Sequence, residues 1–353
     1  MSAFGGKPDI DKGVALCLLL TPSGPRWPKS AVSHNAALIA GGVSTGIAGS
    51  GYRHQELLTI LSLANHWRTH GMRRRVVLAV IGAPLALAAI GAGVILAVPR
   101  TRHLIAARLN MPDRMSALPA NSQVHYEPGA EEFAHDVAAL LPDAITRVEA
   151  VHGRPFKHPV IVGVYATPEA YKTAIGLDSM APVGVTAFGE INLSPKLFRP
   201  QHQRLRAILT HELSHAHIQG WIGGRPYVSL PKWFKEGLAV MVSGGGGAEL
   251  VSEDDARAAI QRGEMIVIND TGSLTDWTDL RVDEEPANKP PWYPVVLGYR
   301  EAGMFVNYLR ESDRSAFDRM MNAMLDGRPF VEAAGVGYHE DVRSLWEKFI
   351  KSR

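Results

Sequence analysis

His211-Glu-Leu-Ser-His215 places two imidazoles four residues apart, with a carboxylate beside the first. On a helix each residue turns about 100°, so the histidines sit about 40° apart on one face, one turn separated, and both can reach a single ion. Glu212 lies beside that face. It is poorly placed to join the two histidines as a ligand and well placed to take a proton from a water on the metal, which is general-base work. Zinc in hydrolases keeps three protein ligands and leaves the fourth position to water. Glu236, in Trp233-Phe-Lys-Glu236-Gly-Leu-Ala239, is the candidate third ligand. A helix beginning near Pro231 would carry it toward the first helix, across a loop holding Gly220, Gly223, Gly224 and Pro226. The expected centre is Zn2+ on His211, His215 and Glu236, with Glu212 as base. An ordinary surface helix can carry two histidines and a glutamate without a metal; the second cluster weighs against that reading.

His-Glu-x-x-His followed about twenty residues later by Trp-Phe-x-Glu-Gly-x-Ala resembles the gluzincin metallopeptidases, specifically the peptidase MA-like domains related to the catalytic domain of the zinc aminopeptidases. Other zinc clans fit worse. The metzincin pattern wants glycine and histidine where this chain has Ile218 and Trp221, and the thermolysin pattern wants aspartate where it has Val240. Gly298-Tyr299-Arg-Glu-Ala-Gly303 is similar to the segment whose tyrosine, in such enzymes, hydrogen-bonds the oxyanion of the tetrahedral intermediate, and the resemblance implies that role for Tyr299. From its position alone, Tyr299 would serve equally to anchor a helix over about 299–311, whose Met304, Phe305, Tyr308 and Leu309 form an apolar face. The resemblance covers roughly residues 120 to 350 and is strongest from 203 to 243.

It implies an α+β zincin-like domain with a small mixed sheet and a helical C-terminal half, acting on a peptide or protein substrate. In gluzincins an edge strand above the zinc pairs with the substrate backbone, a place held here by 183–194. Aminopeptidase relatives carry Gly-x-Met-Glu-Asn there, with a glutamate that grips the free amino terminus. Phe188-Gly-Glu190-Ile-Asn192 lacks that pattern, so an endopeptidase is favoured and Glu190 reads as a solvated strand residue. Two alternatives stay open: a zinc hydrolase of a non-peptide amide bond, and a non-catalytic membrane-anchored binding protein on the same fold.

Several elements must position these residues. Phe133, Val137, Leu140, Leu141, Ile145 and Val148 fall at helical intervals over 130–151, with Pro142 able to kink or split that helix. Pro159 to Tyr165 reads as a strand, 168–175 as a helix, 183–188 and 190–194 as strands, and 203–218 as the metal helix. That order gives an α+β domain. Trp233 and Phe234 read as core wedges against the metal helix. His217 lies about 200° around the helix from His215 and points away from the metal, as a supporting or surface histidine. The irregular segment 269–293 is expected to border the cleft.

Composition sets the frame. The chain has 353 residues, 46% of them hydrophobic, enough for a core and for a second element. A net charge of +2 and the absence of a nucleic-acid motif exclude a nucleic-acid reading. Cys17 is the only cysteine, so zinc must be held by nitrogen and oxygen. The uncharged apolar run 76–99, preceded by Arg73, Arg74 and Arg75, reads as a transmembrane signal anchor. Flanking arginines tie the positive-inside count, and the tight triplet before the run points to a single-pass protein with its metal domain outside the cytoplasm. Residues 1–71 read as a poorly structured segment preceding an alternative start at Met72, residues 100–121 as a polar linker, and 122–353 as the metallopeptidase domain.

Overall fold

The computed structural model of the chain describes residues 93, 99–177, 182–272, 280, 282 and 289–353. The expectations for 1–71 and for an anchor at 76–99 lie outside these residues, apart from Gly93 and Pro99. Among the described residues, no helix is long and apolar enough to cross a membrane.

The stretch 100–121, expected as a linker, is built into the fold instead. It holds helix α1 (Pro99–Leu109), a 3-10 turn at Pro112–Arg114 and strand β1 (Ser116–Leu118), which pairs with β2 (Asn121–Tyr126). Ala107 and Leu118 are buried, and buried His103 donates from Nδ1 to the carbonyl of Ile175. These elements are short and dock through a few side chains, so the stretch keeps a tether's polar composition while one face is packed. The domain therefore starts well before residue 122.

Helix α2 (Glu131–His152) buries Phe133, Val137, Leu141, Ala144 and Val148 at helical spacing and stops at Gly153, whose φ of 76° suits glycine. It runs unbroken through Pro142; the buried stripe on both sides of the proline holds the two halves in line despite the lost backbone donor. Then follow β3 (Val162–Val164), α3 (Pro168–Ile175), β4 (Gly184–Ala187) and β5 (Glu190–Leu193). The five strands are ordered β1-β2-β3-β5-β4. The three central strands are parallel and the two outer ones antiparallel to their neighbours, which makes the small sheet mixed. One face of β4 meets the metal helix. On the other, Val185 and Ala187 join Ala107, Tyr165, Tyr171, Ala174 and Ile175 in a second core.

The C-terminal half is helical: α4 (Leu205–Ile222), α5 (Gly224–Ser229), α6 (Lys232–Ser243), α7 (Glu253–Gln261), α8 (Tyr293–Ser312), α9 (Arg314–Leu325), α10 (Phe330–Tyr338) and α11 (Val342–Lys351). An α+β class with a mixed sheet and helical second half is what the chain adopts. Helices α6 and α8 cross closely because each presents a glycine: a Cβ on Gly237 would stand 2.5 Å from the carbonyl oxygen of Ala302, and one on Gly303 the same 2.5 Å from Val240 Cγ1. Trp233 is fully buried, its ring among those of Phe234, Phe305 and Phe330, with Nε1 donating to the Asn269 carbonyl at 2.8 Å.

Candidate metal centre

Helix α4 carries His211 and His215 one turn apart, and α6 presents Glu236 from the other side. Nε2 of His211 lies 3.1 Å from Nε2 of His215, and Glu236 Oε2 lies 3.4 Å from each. Among the described residues these three form a group of potential ligands to a single ion. Tetrahedral zinc with ligands at its usual bond lengths separates neighbouring donor atoms by about 3.3 Å, so the triangle has the size of one face of that tetrahedron. The donor set fits the metal: two imidazole nitrogens, one carboxylate and no thiolate. Glu236 Oε2 is buried and accepts no hydrogen bond. A lone carboxylate oxygen so placed is costly unless a cation meets it.

Surrounding groups aim the ligands. His211 Nδ1 lies 2.8 Å from the carbonyl of Gly246; a carbonyl only accepts, so Nδ1 carries the proton and Nε2 offers its lone pair to the centre. His215 Nδ1 lies 2.8 Å from the Tyr227 hydroxyl, which accepts from it in the ligating tautomer. Gly247, at φ 84°, closes over His211, and a Cβ there would come within 3.3 Å of Cε1 of the imidazole.

Glu212 lies outside the triangle, as its place on the helix requires. Its Oε2 accepts from the Thr186 hydroxyl at 2.8 Å, while Oε1 is buried without a hydrogen-bond partner. Tyr299, on α8, stacks its ring on His211 with centroids 6.4 Å apart and planes 13° apart. All five side chains are at most 1% exposed. The chain thus brings His211, His215 and Glu236 together, with Glu212 next to His211 on the same helix and the Tyr299 ring against His211.

One reading needs correction. Glu190 is buried rather than solvated: Oε2 accepts from the amide of Asp113 at 3.1 Å, and burial raises its carboxyl pKa, with that amide opposing. It alternates along β5 with Ile191, which pairs with Thr186, so it sits on the face of the sheet opposite the metal helix. Of the two readings of His217, supporting or surface, burial favours the first. Its Nε2 donates to the Arg154 carbonyl at 2.9 Å, its Nδ1 accepts from His152 Nδ1 at 2.9 Å, and His152 Nε2 accepts from the Ser214 hydroxyl at 3.2 Å. Starting from the carbonyl, this is the one proton arrangement open to two neutral rings, and burial lowers both imidazole pKa values. The network ties the end of α2 to the metal helix. His152, Thr186, Tyr227 and Gly246 lie too far from the motif in sequence for spacing to find them.

No family model and no curated protein matches the chain. Among solved structures it is similar to native yeast LTA4 hydrolase, at 16% identity and a TM-score of 0.41. The match covers 67% of this chain and 38% of that one, so the chain spans well under half of that protein's length. So distant a likeness does not bear on function.

Proposed function

We propose that the chain is a zinc-dependent peptidase, an endopeptidase acting on peptide or protein substrates, held at a membrane by the apolar run 76–99 with its metal domain outside the cytoplasm. The observation that carries the hydrolytic reading is the converging triangle of His211, His215 and Glu236 beside an unpartnered Glu212 oxygen. Zinc bound there would supply Lewis acidity, lowering the pKa of a water and polarising the scissile carbonyl. Glu212 takes the proton of the attacking water through Oε1 and delivers it to the leaving amine. Tyr299 donates to the oxyanion as the carbonyl carbon becomes tetrahedral. The buried surroundings keep competing water away and strengthen each of these interactions. Glu190 faces the side of the sheet opposite the metal helix and offers no grip for a free amino terminus, which favours internal bonds.

The test uses the full chain purified natively, with zinc measured and a peptide library offered with and without chelator. Glu212→Gln is expected to keep the metal and lose turnover by ~100-fold or more, whereas His211→Ala loses both. Full turnover in Glu212→Gln defeats the mechanism, and a wild-type chain that never holds zinc defeats the reading. Digestion of the metal domain by external protease in spheroplasts tests the orientation; protection in intact spheroplasts refutes it.

A further inference from the structure

We propose that Thr186 is a positioning residue that decides which oxygen of Glu212 acts as the base, so that β4 sets the geometry of water activation; this rests on the hydrolase reading above. The Thr186 hydroxyl lies 2.8 Å from Oε2 of Glu212 and 3.0 Å from the carbonyl oxygen of the same residue. Its single proton goes to the nearer, charged Oε2, with the carbonyl oxygen close enough to share it, so the carboxylate is held against its own main chain. Oε2 is occupied by this bond, and Oε1, buried and unpartnered, keeps its lone pairs for a proton.

The same strand shapes the space from the other side. A Cβ on Gly184 would stand 2.9 Å from both Cγ and Oε1 of Glu212, and 2.8 Å from Ile208 Cγ2. Gly184 and Thr186 are two residues apart and share a face of β4. One leaves room for the reactive oxygen; the other holds the remaining oxygen back. No other hydrogen bond to the Glu212 carboxylate is found among the described residues. Without the hydroxyl, the carboxylate is free to rotate and exchange its oxygens, and a displacement of about 1 Å at a reacting group can cost ~100-fold in rate.

The experiment compares zinc-loaded full-length Thr186→Val, which removes the hydroxyl at similar volume, with Thr186→Ser, which keeps it. For a peptide identified with the wild-type chain, the valine variant is expected to lose ~10-fold or more in kcat, with KM within about twofold and zinc content unchanged, while the serine variant stays within about threefold. Crystal structures of the metal-free proteins give a second reading: in Thr186→Val the Glu212 carboxylate should rotate and move Oε1 by about 1 Å, and in Thr186→Ser it should stay. Thr186→Ala replaces the valine variant if that one does not fold cooperatively. The inference is overturned if kcat survives loss of the hydroxyl, if only KM rises, if serine and valine lose kcat alike, or if the carboxylate keeps its place. Should the wild-type chain hydrolyse no peptide, the proposed function falls, and the crystal comparison still decides what holds Glu212.

Discussion

Glycine at position 184 is required by the neighbour it faces rather than by its own backbone, since the space of its missing side chain is filled by Glu212 and Ile208. Gly184→Ala is therefore expected to push the Glu212 carboxylate aside and lower kcat by at least ~10-fold while zinc stays bound, because no ligand is touched; wild-type kcat in this variant would show that the cavity yields freely. A second buried carboxyl, Glu301, lies on α8 two residues past Tyr299. Its Oε2 accepts from the Ile266 amide at 2.9 Å and Oε1 has no partner. Burial pushes this carboxyl up to about 8, the Ile266 amide opposing and Glu264 adding to the rise. The folded chain keeps a proton here that the unfolded chain, at the ordinary 4.5, releases. Stability from this group is thus greatest at low pH, declines as pH climbs from 4.5 through about 8, and is level above that. Glu301→Gln, which mimics the protonated acid, should match the parent in Tm near pH 4.5 and exceed it by a widening margin up to pH 8; a constant margin across that window would contradict the assignment. Local spacing marked His211, Glu212 and His215 because a helix turns at a fixed angle, while Glu236 was marked by the second cluster on the next long helix. Thr186, Tyr227 and Gly246 meet them only after the chain has folded, and no periodicity encodes that meeting.

At the scale of elements, the position of Glu236 depends on how closely α6 can approach α8. Gly237 follows Glu236 directly, and its Cα faces the Ala302 backbone of α8 at a distance no side chain would permit. Gly237→Ala should force the two helices apart at a cost of about 1–3 kcal/mol, read by denaturant unfolding. Because Glu236 moves with α6, bound zinc should also dissociate faster. Unchanged stability together with unchanged zinc retention would show that the crossing has slack. Trp233 and Phe234 were legible as core from their size and their place beside the ligand, and they do wedge α6 against Phe305 and Phe330. The strands at the sheet end were legible as strands. Which face of each strand meets α4 was not: β5 alternates polar Glu190 and Asn192 with apolar Ile191 and Leu193, but all four are buried, as is all of β4, so neither face is marked by exposure to solvent.

For the whole molecule, the boundary of the metal domain separates two accounts of the same sequence. Polar composition and two prolines suggest a tether up to residue 121; the packing shows α1 and β1 contributing to the sheet and to the second core. A fragment 122–353 would lose β1 and turn β2 into an edge with unpaired backbone groups. It would also lose the His103 bond to Ile175, the cover that Ala107 gives Val185 and Tyr171, and the Asp113 amide that satisfies buried Glu190. Since Val185 and Thr186 are adjacent on β4, loosening one face of that strand should disturb the hydroxyl bonded to Glu212 on the other. A fragment 99–353 keeps all of these contacts. We expect 99–353 to elute as a compact species and unfold in one cooperative transition, and 122–353 to aggregate or melt broadly, as measured by size-exclusion chromatography and calorimetry. Equal cooperativity and equal zinc content in both fragments would mean that the first helix and strand are only laid against a domain that is complete without them.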